Sequence, residues 1–109
     1  MIKSMNVTEL KERMDKKADF ILIDCREQNE WNEGHIEGAV FVPLSEFHGL
    51  WSEVLTDADK DKELILQCRS GRRSLSACQI LLAEGFSNLN NLEGGILDWE
   101  AEGFATTQE

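Results

Sequence analysis

Residues Leu64 to Leu75, LILQCRSGRRSL, run from a short apolar stretch through a cysteine into a glycine-containing loop with three arginines, and on into a helical pattern. That junction predicts a reactive thiol at Cys68. A buried strand fixes the sulfur, and the loop and helix start that follow aim backbone N–H groups and a positive dipole end at it, which favours thiolate over thiol. Arg69, Arg72 and Arg73 are the only Lys or Arg residues between Leu64 and Glu109, so basic charge is focused on this loop. Cations at a helix start oppose the helix dipole, and three together point to an anionic ligand rather than a solvated helix end. An inert core cysteine is the competing reading of Cys68. Its polar neighbours Gln67 and Arg69 and its position at a strand end argue against it.

The elements that must position this loop follow from periodicity. Asn6 with Glu9 resembles a capping box, and Val7, Leu10 and Met14 recur at helical spacing, which predicts a first helix over Val7 to Lys16. Phe20 to Ile23, ending at Asp24, reads as a strand buried on both faces, followed by Cys25, Arg26 and a polar loop reaching Gly34 and Gly38. Ala39 to Val42 is the next strand, ended by Pro43. Ser45 is placed to cap a short helix carrying Phe47, Leu50, Trp51 and Val54, and a charged loop spans Asp57 to Glu63. Leu64 to Gln67 is a further buried strand, and a helix over Arg73 to Glu84 turns Leu75, Cys78, Leu81 and Leu82 to a core before Gly85 ends it. Asn88 to Leu92 is the last strand, and Gly94-Gly95 opens a terminal helix with Ile96, Leu97 and Trp99. Strands alternating with helices imply an α/β fold with a mostly parallel sheet covered on both faces, its ligand site at the carboxyl ends of the strands. Cys68 stands at such an end.

With 109 residues the chain is expected to form one domain, residues 1–109, large enough to bury a core without disulfides or metals. A net charge of −10 disfavours nucleic acid or an anionic membrane as partner, while leaving room for a small anion at one basic pocket. The start, MIKSMNVTELKERM, carries charge too early for a signal peptide, and no stretch approaches the roughly 18 apolar residues of a membrane span. The cytoplasm is the expected compartment. Cys25, Cys68 and Cys78 contain no C-x-x-C pair, and His35 and His48 complete no ligand pattern with them, so neither a disulfide framework, a metal nor a cofactor is expected.

Three ordered blocks together resemble the rhodanese family of sulfurtransferases. The first is IDCREQNEWNEGHIEGAVFVPL, Ile23 to Leu44, with a D-x-R, an acidic-aromatic pair and a G-H-I-x-G-A pattern. The second is LQCRSGRRS, Leu66 to Ser74, and the third is L-E-G-G-I-x-x-W, Leu92 to Trp99. The resemblance implies the rhodanese-like fold, a five-stranded parallel sheet flanked by helices on both faces, and a cysteine that carries sulfane sulfur as a persulfide. Two residues depart from the family pattern: Cys25 stands where an aliphatic residue is common, and Trp31 where Phe or Tyr is usual.

Within that resemblance Cys68 is the nucleophile that takes the outer sulfur of a donor and yields it to a thiophilic acceptor. The loop Arg69, Ser70, Gly71, Arg72 and Arg73 is the expected substrate-binding segment, its N–H groups curling around the sulfur and Gly71 permitting the tight backbone. Arg69 or Arg72 would hold a dianion such as thiosulfate at the loop mouth. The acceptor is cyanide in the test tube and a thiol in the cell, and a protein persulfide is a further candidate partner. Phosphatases of the related cell-cycle type place Arg one residue later than Arg73, where this chain has Ser74, so phosphatase or arsenate reductase activity ranks below sulfur transfer. A non-catalytic sulfur carrier or partner-docking module is the other alternative, its acidic exterior steering it to a basic protein. Asp24, Arg26 and Glu30 read as a structural ion-pair set beside the site, and His35 as a turn-stabilising residue. His48 reads as a surface residue, Trp31, Trp51 and Trp99 as core or rim aromatics, and Cys78 as core. Cys25 has two readings: a small hydrophobe pointing away from the site, or a resolving thiol beside Cys68, since paired strands lie about 4.8 Å apart.

Overall fold

The computed structural model describes residues 1–109. Five strands, β1 (Ile2–Met5), β2 (Ile21–Asp24), β3 (Val40–Phe41), β4 (Leu64–Gln67) and β5 (Leu89–Leu92), form one sheet in the order β1-β5-β4-β2-β3, every pairing parallel. Between them run α1 (Val7–Asp15), α2 (Gln28–Glu33), α3 (Phe47–Val54), α4 (Arg72–Ala83) and, last, α5 (Gly95–Ala101).

Each face of the sheet has its own core, because alternate side chains of a strand point to opposite faces. Ile23, Leu64 and Leu66 pack with Phe47, Ala77, Cys78 and Leu81 from α3 and α4. Leu22, Ile65 and Leu92 pack with Val7, Leu10, Ile96 and Trp99 from α1 and α5. The central strand β4 is buried at every residue, which is why Leu64 to Leu66 read as an unbroken apolar run instead of an alternating one. The capping box at α1 forms as the sequence implies: Asn6 Oδ1 accepts from the Glu9 amide at 2.9 Å, and Glu9 Oε1 accepts from the Asn6 amide at 3.0 Å.

Several expectations change. The N-terminal residues form a strand that sequence periodicity does not announce. Only Met5 of its four residues is buried, so as an edge strand it lacks the apolar run that marks β2 and β4. The polar stretch after Arg26 contains α2, held by a reciprocal cap between Glu27 and Glu30 rather than by an apolar face, and none of its residues is buried. Ser45 does not cap α3. It lies in a 3₁₀ turn, Leu44–Glu46, and its hydroxyl donates to Glu27 Oε1 at 2.6 Å. On α4, Cys78 and Leu81 enter the core, whereas Leu75 and Leu82 sit at its margin with 41% and 40% of their surface exposed.

Candidate active site

Cys68 directly follows β4, and Cys25 directly follows β2. The register pairs Asp24 with Gln67, and the ladder continues one step further as the Cys25 amide donates to the Gln67 carbonyl at 2.8 Å. Alternation then turns Cys25 and Cys68 to the α3–α4 face together, in line with Ile23 and Leu66. Both are buried, Cys25 at 0% and Cys68 at 1% exposure.

The loop after Cys68 folds back over its own sulfur. Gly71, at φ +109°, is the N-cap of α4, and its amide donates to Cys68 Sγ at 3.1 Å. Ser74, fully buried in the first turn of α4, brings its hydroxyl oxygen to 3.4 Å from the same sulfur. That hydroxyl also meets Asn91 Oδ1, and the Asn91 amide donates to the Gly71 carbonyl at 3.0 Å. One hydroxyl proton serves one acceptor at a time, so the Ser74 proton is shared between Cys68 Sγ and Asn91 Oδ1, and Asn91 also clamps the loop through Gly71.

A second clamp holds the loop from below. The carbonyls of Cys68 and Arg69 accept from the amides of Ile96 and Leu97, at 3.0 and 3.2 Å, at the start of α5. This close approach requires Gly95: a Cβ there would lie 2.5 Å from both carbonyl oxygens, and its φ of +55° is left-handed. The glycine pair of the third sequence block therefore lets α5 seat directly under the reactive loop, besides opening the helix.

These contacts set the ionisation of the sulfur. Donation from the Cys25 thiol, opposed by burial and reinforced by Ser74 and the Gly71 amide, lowers Cys68 to about 4. The same pairing with Cys68, together with burial, pushes Cys25 far up. The pairing thus pushes Cys25 toward thiol and Cys68 toward thiolate. The Gln67 carbonyl, 3.4 Å from Cys25 Sγ, is an alternative acceptor for that single thiol proton.

The remaining sequence-marked residues divide. Arg69, Ser70 and Arg72 are exposed at the loop mouth, and neither arginine enters an ion pair. Arg73 instead turns to Glu30, donating at 2.6 and 2.9 Å, which lowers the Glu30 carboxyl to about 2. The expected trio of Asp24, Arg26 and Glu30 is therefore two separate pairs. Buried Asp24 accepts from the backbone and side chain of Arg26, whose guanidinium also reaches the Gly34 carbonyl at 2.7 Å. His35 is buried. It stacks on Trp31 with ring centroids 3.5 Å apart, places its ring nitrogens against the carbonyls of Trp31 and Glu109, and bridges Thr107 through its backbone. His48 is exposed. Trp99 is buried, and Trp51 packs edge-on against Phe86. Alongside the loop mouth a cavity of about 230 Å³ is lined by Arg26, Glu30, Glu33, Arg69 and Glu100, among others.

Ser74 and Asn91 escape sequence reading because each sits in an ordinary-looking helix or strand. The signal for Ser74 was its place one turn into the helix after a strand-end cysteine. For Asn91 it was a polar residue in a strand packed beside β4.

A buried cysteine at the carboxyl end of the central strand, ringed by a short loop in a five-stranded parallel sheet, defines the class. Residues 6–102 match the rhodanese-like domain family, and the chain belongs to it. It is 39% identical over 101 residues, 93% of each chain, to a Bacillus subtilis protein, YtwF, whose name gives it as a sulfurtransferase. It is 33% identical over 86 residues to the thiosulfate sulfurtransferase GlpE of Coxiella burnetii, covering 79% of this chain and 77% of that one. The crystal structure of a rhodanese-related protein from Thermoplasma volcanium superposes with a TM-score of 0.83 at 30% identity, over 98% of this chain and 99% of that one.

Proposed function

We propose that residues 1–109 act as one sulfurtransferase unit that carries sulfane sulfur as a persulfide on Cys68. The observation that carries this reading is the ring of donors on a buried sulfur: the Gly71 amide at 3.1 Å and the Ser74 hydroxyl at 3.4 Å, with the Cys25 proton behind. A thiolate stabilised in this way attacks the outer sulfur of a donor. The Gly71 and Ser74 donors then stabilise the negative terminal sulfur of the Cys68 persulfide. Attack on thiosulfate releases sulfite, and a thiophilic acceptor such as cyanide or a thiol removes the sulfur and restores the thiolate.

Arg69 and Arg72, exposed and free of acidic partners, are the groups that would meet an anionic donor. Arg73 does not share that task, because Glu30 occupies both of its terminal nitrogens. It holds the end of the loop to α2. Thiosulfate as donor is supported by the likeness to GlpE, and a protein persulfide is the second donor class. Three free cysteines and a reactive thiolate suit the reducing cytoplasm, where the protein is placed under this reading.

The test is sulfur transfer from thiosulfate to cyanide, with intact-protein mass measured before cyanide is added, on the wild type and Cys68→Ser. A one-sulfur mass gain and thiocyanate release, both lost in the variant, are expected. Thiocyanate formation that survives Cys68→Ser would overturn the reading.

A further inference from the structure

Cys25 is a second thiol that sulfur transfer to an external acceptor does not use. It extends β2 as Cys68 extends β4, on the same face, one residue beyond the Asp24–Gln67 pair and joined to that strand end by the 2.8 Å amide bond. Neighbouring parallel strands lie about 4.8 Å apart, which falls within the Cα separation that a disulfide spans. Both side chains are buried in the same core cluster, so a reaction between them is screened from water. Cys78, the other free cysteine, sits on α4 and has burial as the only influence on its ionisation, so it offers no comparable pairing.

We propose that Cys25 is a resolving thiol that gives this protein a sulfane-sulfur reductase activity: it attacks the inner sulfur of the Cys68 persulfide and releases hydrosulfide. The inference rests on the persulfide reading above. In the step, a Cys25–Cys68 sulfur–sulfur bond forms and the bond from Cys68 Sγ to the outer sulfur breaks. The outer sulfur leaves with that electron pair and with the Cys25 proton, as HS⁻. The sulfane sulfur is reduced and the two cysteines are oxidised to a disulfide, so no external oxidant enters. A dithiol reductant then reopens the disulfide, itself becoming a disulfide, and returns both thiols.

The direction of attack follows from placement. Cys25 approaches Cys68 from the end of β2, while the Gly71 amide and Ser74 hydroxyl approach from the loop and α4. Cys25 therefore stands next to the inner sulfur. Loading also removes the negative charge from Cys68 Sγ, which frees the Cys25 proton that the thiolate held.

The experiment loads the protein anaerobically with thiosulfate or inorganic polysulfide, removes excess donor, and follows intact mass and released hydrosulfide without added thiol. In the wild type the sulfur adduct is expected to decay with matching hydrosulfide release and a Cys25–Cys68 disulfide in the peptide map. In Cys25→Ser and Cys25→Val the adduct should persist at least about tenfold longer. Equal adduct lifetimes in all three proteins, or hydrosulfide release without the disulfide, would overturn the proposal. A second arm treats unloaded protein with stoichiometric diamide. A Cys25–Cys68 linkage supports the pairing, and its absence overturns the proposal even where loading succeeds. Failure of every protein to load would instead refute the persulfide reading, with the diamide arm still reporting on the thiol pair.

Discussion

Cys68 and Cys78 lie in the same hydrophobic core, at 1% and 0% exposure, and their surroundings push their thiols in opposite directions. Burial alone pushes Cys78 up to about 12, while Cys68 is held at about 4. The apolar surroundings are common to both. What differs is that Cys68 sits where a strand ends, with a glycine amide, a serine hydroxyl and a neighbouring thiol turned toward it, and Cys78 sits mid-helix, where the backbone amides already have partners. Donors supplied at a chain reversal favour the thiolate at Cys68, against burial, which works the other way.

Removing the sulfur itself makes the largest break in that comparison. Cys68→Ser should abolish sulfur loading, while Cys78→Ala leaves loading at the wild-type rate, read by intact-protein mass after exposure to thiosulfate. Next in size is Gly95→Ala. Its new Cβ meets the Cys68 and Arg69 carbonyls at 2.5 Å, and its left-handed φ adds strain, so a stability loss of about 2–3 kcal/mol is expected in urea unfolding. The folded fraction should load poorly as well, because the clash falls on the backbone of the loop.

Ser74→Ala removes one donor and leaves the others, moving Cys68 part of the way toward the behaviour of Cys78. A charge-assisted hydrogen bond of about 1.5–3 kcal/mol corresponds to an upward shift of roughly one to two pH units in the alkylation midpoint of Cys68. Glu30→Gln is the mildest. It frees Arg73 without touching the sulfur, and the partly exposed pair contributes about 1 kcal/mol. The Glu30 carboxyl titrates at about 2 when folded and at about 4.3 when unfolded, so its stabilisation is complete above the unfolded value and is lost as pH falls toward 2. The variant should therefore unfold at lower urea at neutral pH, with the difference from wild type vanishing in acid.

Sequence reading succeeded where one residue type settles the structure locally. The apolar run Leu64 to Leu66, the Asn6–Glu9 cap and the glycine before α4 fix the central strand, the first helix and the turn that covers Cys68. It missed β1 because an edge strand with one buried residue has no apolar pattern, and α2 because reciprocal side-chain caps hold that helix. It assigned Arg73 to an anion because the partner, Glu30, lies 43 positions away, on a helix that the pattern did not reveal. The Ser74–Asn91 contact likewise joins α4 to β5 across 17 positions. For Cys25 the register of β2 against β4 adds what the sequence lacked, placing it on the same sheet face as Cys68.

The most direct test is to alkylate the native protein with iodoacetamide across the pH range and to follow Cys68 and Cys78 separately by peptide mass spectrometry. Cys68 should react with a midpoint near pH 4 and hold a plateau through neutrality, while Cys78 stays silent until the medium approaches pH 12 or the protein unfolds. A common midpoint for the two, near the value of an ordinary thiol at about 8.5, would contradict the account.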